Sequence, residues 1–494
     1  MKKYFLLLIS SFKKVLNLTG IANFQLPKTN HQLLLACCLV FIAATSCKKD
    51  SFITSADARL RFSADTVKFD TVFTRTGSVT QSFKIVNEND QPLKLSSVKL
   101  MGGTASSFKI NINGVPTNEA NNVEIAANDS IYFFVSVLVN PSAANLPFII
   151  RDSISVQYNS NQRWVQLEAY GQNAHFLNSS TISSNTTWPN DLPYVLQGPL
   201  RVAADVSLTI SAGTKIYAHA NAPLIVDGTL AVNGTLNNKV IFTGDRLDDP
   251  YKFLPASWPG IILGSSSKNN SIKFAEIKNA YQAVVVNGAS TNVNPKLILQ
   301  QTIIDNAYNA GLFCSNTSVQ AENVLISNCV NNIFIESGGN YSFTHCTAAS
   351  YSNNFIFHKT PVLSVANFTQ QNSNPATQNL QASFTNCIFW GDNGFIENEV
   401  IVNKQGSNSF NVTLSHCLFK STGNPANTNL IMSLQNQDPR FDSIDISNRY
   451  YDFRQKNNPL AAGINKGIAS GLLKDLDNNN RNVGVPDMGC YEKQ

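Results

Sequence analysis

Charge is scarce in this chain. Asp, Glu, Lys and Arg make up 14% of the 494 residues, against 43% hydrophobic, a low charged share for a globular protein. Asn, Ser and Thr supply the polar surface instead. Sustained heptads and long Glu/Lys/Ala/Leu stretches are missing, which argues against helical architectures. Val, Ile, Phe and Thr are frequent and favour strands. A basic stripe is missing too. The formal net charge of +5 comes from Lys2, Lys3, Lys13, Lys14 and Lys28, and removing residues 1–46 leaves 32 bases against 32 acids. A neutral chain of this kind is not expected to bind nucleic acid. Arginine is absent between Arg246 and Arg440.

What is present begins with the leader. In "LLLACCLVFIAATSCKKD", 33–50, the apolar run of about a dozen residues is short for a membrane span. Basic residues precede it and small residues end it, the layout of an export signal. The ending "ATSC" resembles a bacterial lipobox. That resemblance implies a signal peptide over 1–46, lipidation of Cys47 and a lipidated linker over 47–57. Lys48 rather than Asp follows the lipidated residue, which implies an outer-membrane destination, on the cell surface or the periplasmic face.

Residues 58–176 carry short strand patterns such as "DTVKFDTVF", "SFKIVNEND", "LKLSSVKL" and "SIYFFVSVLV", separated by polar turns, as in an all-β sandwich. The order "SFKIVNENDQPLKLSSV", "SIYFFVSVLVNPS", "VQLEAYG" resembles an immunoglobulin-like family found in ciliary and centrosomal proteins and in bacterial surface proteins. A spacer role follows from that resemblance.

Downstream the chain repeats itself. "YSFTHCTA" (341–348), "SFTNCIFW" (383–390) and "VTLSHCLF" (412–419) are variants of one pattern. Aligned on their central apolar residue, Phe274, Leu299, Ala321, Phe343, Phe384 and Leu414 form one column, at intervals of 25, 22, 22, 41 and 30. The fourth interval is close to two repeats. Two residues later stand Glu276, Gln301, Asn323, His345, Asn386 and His416, followed by Ile277, Thr302, Val324, Cys346, Cys387 and Cys417. A period near 22 indicates a solenoid. Inward residues fall at 0 and +3, so the strand must bend between them, and Asn tolerates the left-handed backbone a bend needs. "AGT", "DGT" and "NGT" within 208–244 place Gly at further corners. The passage resembles right-handed parallel β-helix proteins of the pectate-lyase-like superfamily. The fold class expected is therefore all-β: an immunoglobulin-like sandwich over 58–176, a right-handed parallel β-helix over 177–430 and a C-terminal capping segment over 431–494. About ten rungs would make a rod of roughly 48 Å.

The cysteines of the repeat read as buried fillers. Zinc sites need paired spacing that is absent here. "DLDNNNR" (475–481) suggests Ca²⁺ by its alternating acids but lacks the Gly and distant Glu of a calcium loop, so no cofactor and no metal site is expected. The resemblance makes a polysaccharide or cell-surface glycan the natural partner. One loop, "GDRLDDPYKFLPASWPG" (244–260), concentrates charge and aromatics on an otherwise bland rod. Asp245, Arg246, Asp248, Asp249, Tyr251, Lys252 and Trp258 are the candidate ligand-binding residues, with acids for hydroxyls and rings for sugar faces. No catalytic residue stands out: Asp227, Glu276, Asp305, Glu322, Glu336 and Asp392 look scattered, and the arginine gap removes the usual base of a lyase of this shape. The expectation is a non-catalytic lipoprotein for adhesion, glycan contact or envelope structure. The alternative is a polysaccharide lyase or glycoside hydrolase.

Overall fold

A computed structural model describes residues 51–141, 147–369, 376–392, 394–456, 460–481 and 483–493. The leader and Cys47 lie outside the described residues.

The N-terminal part is a sandwich of two five-stranded sheets. Its strands alternate as the pattern requires: in Ser130–Val137, Ile131, Phe133, Val135 and Val137 are buried while the residues between them face out. Phe83 and Phe133 stack at 4.7 Å in the core. Thr66–Phe73 pairs in parallel with Asn161–Gln172, and the other pairings are antiparallel.

From His175 onward the chain winds into rungs. One face is an eleven-stranded parallel sheet running from His175–Leu177 to Leu434–Gln435. The other strands form two interleaved parallel ladders, joined where the long strands Ala310–Glu322 and Asn331–Thr344 run through both. Aliphatic and aromatic side chains fill the interior as one continuous core. Eleven rungs at about 4.8 Å span roughly 48 Å.

The columns predicted from sequence exist, with two corrections. Leu299, Ala321, Phe343, Phe384 and Leu414 are register partners in that order. The residue above Leu299, however, is Ile272 rather than Phe274. The interval there is longer because the 288–296 loop is inserted. Phe274 instead takes the bend, at φ 47°, in one column with Gln301, Asn323, His345, Asn386 and His416 at φ 43–54°. Glu276 therefore sits not in the bend but in the next strand, Ala275–Lys278. The second correction concerns the 41-residue interval, which is one rung and not two. Phe343 pairs directly with Phe384, and their rings stack at 5.1 Å; the surplus residues fall in the insertions on either side of Leu363–Ala366. Cys346, Cys387 and Cys417 thus lie on successive rungs. All six described cysteines are free and buried.

The segment after Gln435 lies along the flank of the eleven-stranded face. Phe441, Phe453, Leu476, Met488 and Cys490 cover the outward residues Leu325, Ala349, Ile388, Trp390 and Leu418. The bend column holds it in place. Asn386 donates to the Ile468 carbonyl at 2.7 Å and accepts from its N–H at 2.8 Å, and Asn323 donates to the Lys474 carbonyl at 2.8 Å. The Nε2 atom of His345 accepts from Asn386 at 2.9 Å and from Ser470 at 3.1 Å. Burial pushes the His345 pKa down to about 3, so it stays neutral, as an acceptor must. Buried Arg481 donates to Asn323 Oδ1 at 2.7 Å and to Glu492 at 3.2 Å.

Candidate functional site

The loop singled out from sequence is largely self-satisfied. Arg246 forms a two-pronged pair with Asp248 at 2.8 and 2.9 Å and lies 3.8 Å over the Tyr251 ring. Lys252 pairs with Asp249 at 3.0 Å, and His219 Nδ1 lies 2.7 Å from Asp245. Trp258 is 1% exposed and donates to the Lys278 carbonyl at 2.8 Å. Its ring packs under the rod beside Phe242 and is not available to stack on a ligand. Asp245, Arg246 and Asp248 line a narrow cleft against strand residues 69–73 of the sandwich.

The ionisable residues converge one step away, on the part of the eleven-stranded face that the C-terminal segment leaves open. Successive rungs there read "IKNA" (277–280), "IDNA" (304–307) and "ISNC" (326–329). Ile277, Ile304 and Ile326 point inward. Asn279, Asn306 and Asn328 turn the corner at φ 62°, 59° and 51°. The residue between them faces out, so Lys278, Asp305 and Ser327 are register partners across three rungs. Asn279 and Asn306 also donate to the carbonyls of Lys252 and Phe253 at 2.8 and 2.9 Å. The bends thereby seat the 244–260 loop as one wall.

The resulting groove encloses about 310 Å³. Glu276, Lys278 and Asp305 form its floor, and Phe253 one wall. Asn353 and Phe355 come from the inserted segment after residue 350, and Arg449 and Tyr451 from the C-terminal hairpin. Glu276 is clamped between Lys278 at 2.8 Å and Lys239 at 3.1 Å, one lysine on each oxygen. Asp305 accepts from Ser327 at 2.7 Å and from Asn328 at 3.2 Å. The two carboxyls are driven apart. Burial raises the pKa of Asp305 more than its hydrogen bonds and Lys278 lower it. Burial also opposes the charge on Glu276, but its two lysines outweigh that and hold its pKa below the usual carboxylate range. The Tyr451 hydroxyl is buried at the edge of the groove, beside Asn353.

Such a groove can bind a polyol. It offers amides and charged groups for hydroxyls, and rings for apolar faces. A larger hollow of about 540 Å³ under the 289–295 loop has only uncharged lining, including Asn292, Gln320 and Gln381. Nothing there distinguishes it from a solvated polar surface. The acids of "DLDNNNR" are engaged in the fold: Asp475 accepts from the Asn479 and Glu492 N–H groups, and Asp477 pairs with Arg454. Among the described residues no group of three or more His, Cys, Asp or Glu converges on a metal-sized site.

Sequence reasoning missed this groove for two reasons. The first rung was aligned two residues late, which put Glu276 in the bend column. The facing residues Phe355, Arg449 and Tyr451 are also far away in the chain. The "I-x-N-A/C" repeat was the available signal.

Solved structures resemble the chain only distantly. The catalytic unit of a GH87 α-1,3-glucanase from Streptomyces thermodiastaticus is 9% identical, covering 76% of this chain and 90% of that one at a TM-score of 0.26. A family 123 glycoside hydrolase from Clostridium perfringens is 10% identical over 24% of this chain and 30% of its own length, at 0.17. The ASH/PapD-like domain of human CEP192 is 7% identical over 26% of this chain and 92% of that domain, at 0.17. Likenesses at this level say nothing about activity. No curated protein matches. Residues 180–294 match the family model described as a pectate-lyase like beta helix domain, and with its stacked parallel sheets the body of this chain is a pectate-lyase-like parallel β-helix.

Proposed function

We propose that the chain is an exported lipoprotein, anchored in the outer membrane through Cys47, that binds glycan in the groove over Glu276, Lys278 and Asp305. One observation carries the binding reading: three segments distant in sequence each deliver an aromatic or charged side chain to the same open stretch of the rod. The sandwich is the spacer between anchor and rod. The 244–260 loop contributes Lys252 and Phe253 to the groove, while Asp245, Arg246 and Asp248 set the sandwich against the rod. The role is adhesion or envelope contact, a reading supported by Glu276 being tied to a lysine at each oxygen.

A glycan array probed with the full chain tests the groove. Phe355→Ala and Lys278→Ala should each abolish whatever signal the unmodified chain gives, and signal that survives both contradicts the reading. Palmitate labelling in a bacterial host tests the anchor, with label lost in Cys47→Ser.

A second reading, a carbohydrate-active enzyme, draws support from Glu276 and Asp305 standing on adjacent rungs with pKa values moved in opposite directions, the usual mark of an acid and base pair. It requires release of reducing ends or of unsaturated product from a bound polysaccharide, with turnover but not binding lost in Asp305→Asn.

A further inference from the structure

The chain enters the sandwich through a clasp. Ile53 donates its N–H to the Pro92 carbonyl at 2.9 Å and packs on the sandwich core. Asn159 donates to the carbonyls of Ile53 and Ser55 at 2.9 and 3.0 Å, and Asn161 to that of Ala56 at 2.7 Å. Asn89 accepts from the Arg59 N–H at 3.0 Å and donates to its carbonyl at 2.9 Å. Lys94 lies 4.4 Å over the Phe52 ring. Segment 52–59 is thereby fixed to one end of the sandwich. The rod is fixed to the other. Strand Asn161–Gln172 starts at the clasp and ends beside Phe73, the register partner of Gln172, whose ring lies 5.1 Å from Tyr217 of the rod. Its twelve residues separate the two ends by roughly 40 Å. The exposed residues of the clasp end, including Asp57, Asp90, Asp129 and Ser160, are polar, and no large apolar side chain there is exposed among the described residues. Such an end does not enter hydrocarbon. Cys47 precedes Ile53 by six residues, which reach at most about 20 Å.

We infer that the clasp end of the sandwich is a membrane-facing surface, held by the short tether against the phospholipid headgroups, and that the sandwich stands on it as an upright stalk with the rod pointing away. The inference rests on the Cys47 anchor proposed above. Turning the sandwich over would lift the clasp about twice as far from the lipid as six residues reach. A rigid body leashed closely at one end also loses the orientations that would drive its bulk into the bilayer, so the heavy rod at the far end points outward. The clasp thus converts a lipidated terminus into a fixed stand-off, and the groove is carried at a set height above the membrane.

Fluorescence quenching of the lipidated full chain, floated with phosphatidylcholine vesicles that carry a headgroup-attached nitroxide, tests this. Asp129 and Leu138 flank the strand Ser130–Val137, Asp129 at the clasp end and Leu138, 47% exposed, at the rod end, about 30 Å apart. The six described cysteines are free and buried, so a maleimide dye labels the folded chain at the thiol introduced by Asp129→Cys or Leu138→Cys. The dye at position 129 should be quenched severalfold more than the dye at 138. Inserting about twenty Gly/Ser residues between Asp50 and Ser51 adds a reach of about 25 Å outside the folded part, and should remove most of the quenching at 129. Equal quenching at the two positions, or quenching at 129 that survives the insertion, overturns the inference while leaving the anchor standing. A chain that does not float with the vesicles overturns both.

Discussion

The eleven-stranded face of the rod has two stretches, and they are used in opposite ways. Its upstream rungs present Glu276, Lys278 and Asp305 and remain open. Its downstream rungs present Leu325, Ala349, Ile388, Trp390 and Leu418 and are covered by the C-terminal segment. The backbone is the same in both, down to the parallel register. Only the outward residue changes. A solenoid face is therefore a neutral support: apolar outward residues take a covering segment through burial, and over the charged ones the edge of that segment leaves a groove, lined by Arg449 and Tyr451.

The sharpest way to break that contrast is to release the cover. Arg481 and Glu492 are a buried pair, 0% and 4% exposed at their side chains. Arg481→Ala leaves Glu492 buried without its partner and should cost about 3–5 kcal/mol, read as a lower urea midpoint and rapid proteolysis within 441–493. The Glu492 pKa, raised to about 7 chiefly by burial, gives this pair a pH signature. A raised carboxyl contributes stability below its unfolded pKa and loses it as pH rises through 7. Attachment of the segment should therefore weaken from mildly acidic to mildly alkaline pH, measured by amide exchange of the segment.

Next in size is the apolar contact itself. Ile388 is 1% exposed and packs against Gly489. Ile388→Ala should cost about 2–5 kcal/mol in the same unfolding experiment, and the open groove should still bind whatever ligand it takes.

On the open stretch, two isosteric changes should differ in sign. The pKa of Glu276 is lowered in the fold, so its ionised form stabilises above the ordinary carboxylate pKa and that contribution disappears as pH falls through the folded value. The pKa of Asp305 is raised, so its ionisation costs stability as pH rises through the folded value. At neutral pH Glu276→Gln should lower the unfolding free energy by about 1–2 kcal/mol, read as a lower melting midpoint, and Asp305→Asn should leave the midpoint unchanged or raise it. Two shifts of the same sign would refute the opposed environments. The smallest effect belongs to the loop first suspected. Arg246→Ala breaks a pair in which the arginine is 41% exposed and should cost about 0.5 kcal/mol or less, with no change in glycan binding.

Much of this was legible in the sequence, and what was not has identifiable causes. The inward columns from Leu299 to Leu414 were readable because each rung repeats its own hydrophobic pattern locally. Phe274 was misplaced because an aromatic residue at a bend looks like an aromatic residue in a core. The 41-residue interval was read as two rungs because an inserted segment and an extra rung add the same number of residues. Trp258 is a candidate ligand residue only by its place in a charged loop, and the sequence does not separate a ring offered to ligand from one that turns under the rod, as this one does. The bend positions are legible from their Asn residues, but what the bend side chains hold is not: Asn386 and His345 bond to one another, and the same column holds the C-terminal segment through Ile468, Ser470 and Lys474.

The sequence by itself determined the rungs, the bends and the neutral polar surface, because these depend on side-chain alternation and backbone preference within some two dozen residues. The tertiary structure alone decided the site. Phe253, Asp305, Phe355 and Arg449 are separated by dozens of residues with no periodic relation, and only the winding of the chain and the docking of its last segment bring them to one groove. Periodicity encodes what lies above and below a residue in the rod. It carries no record of what is laid across the rod from elsewhere.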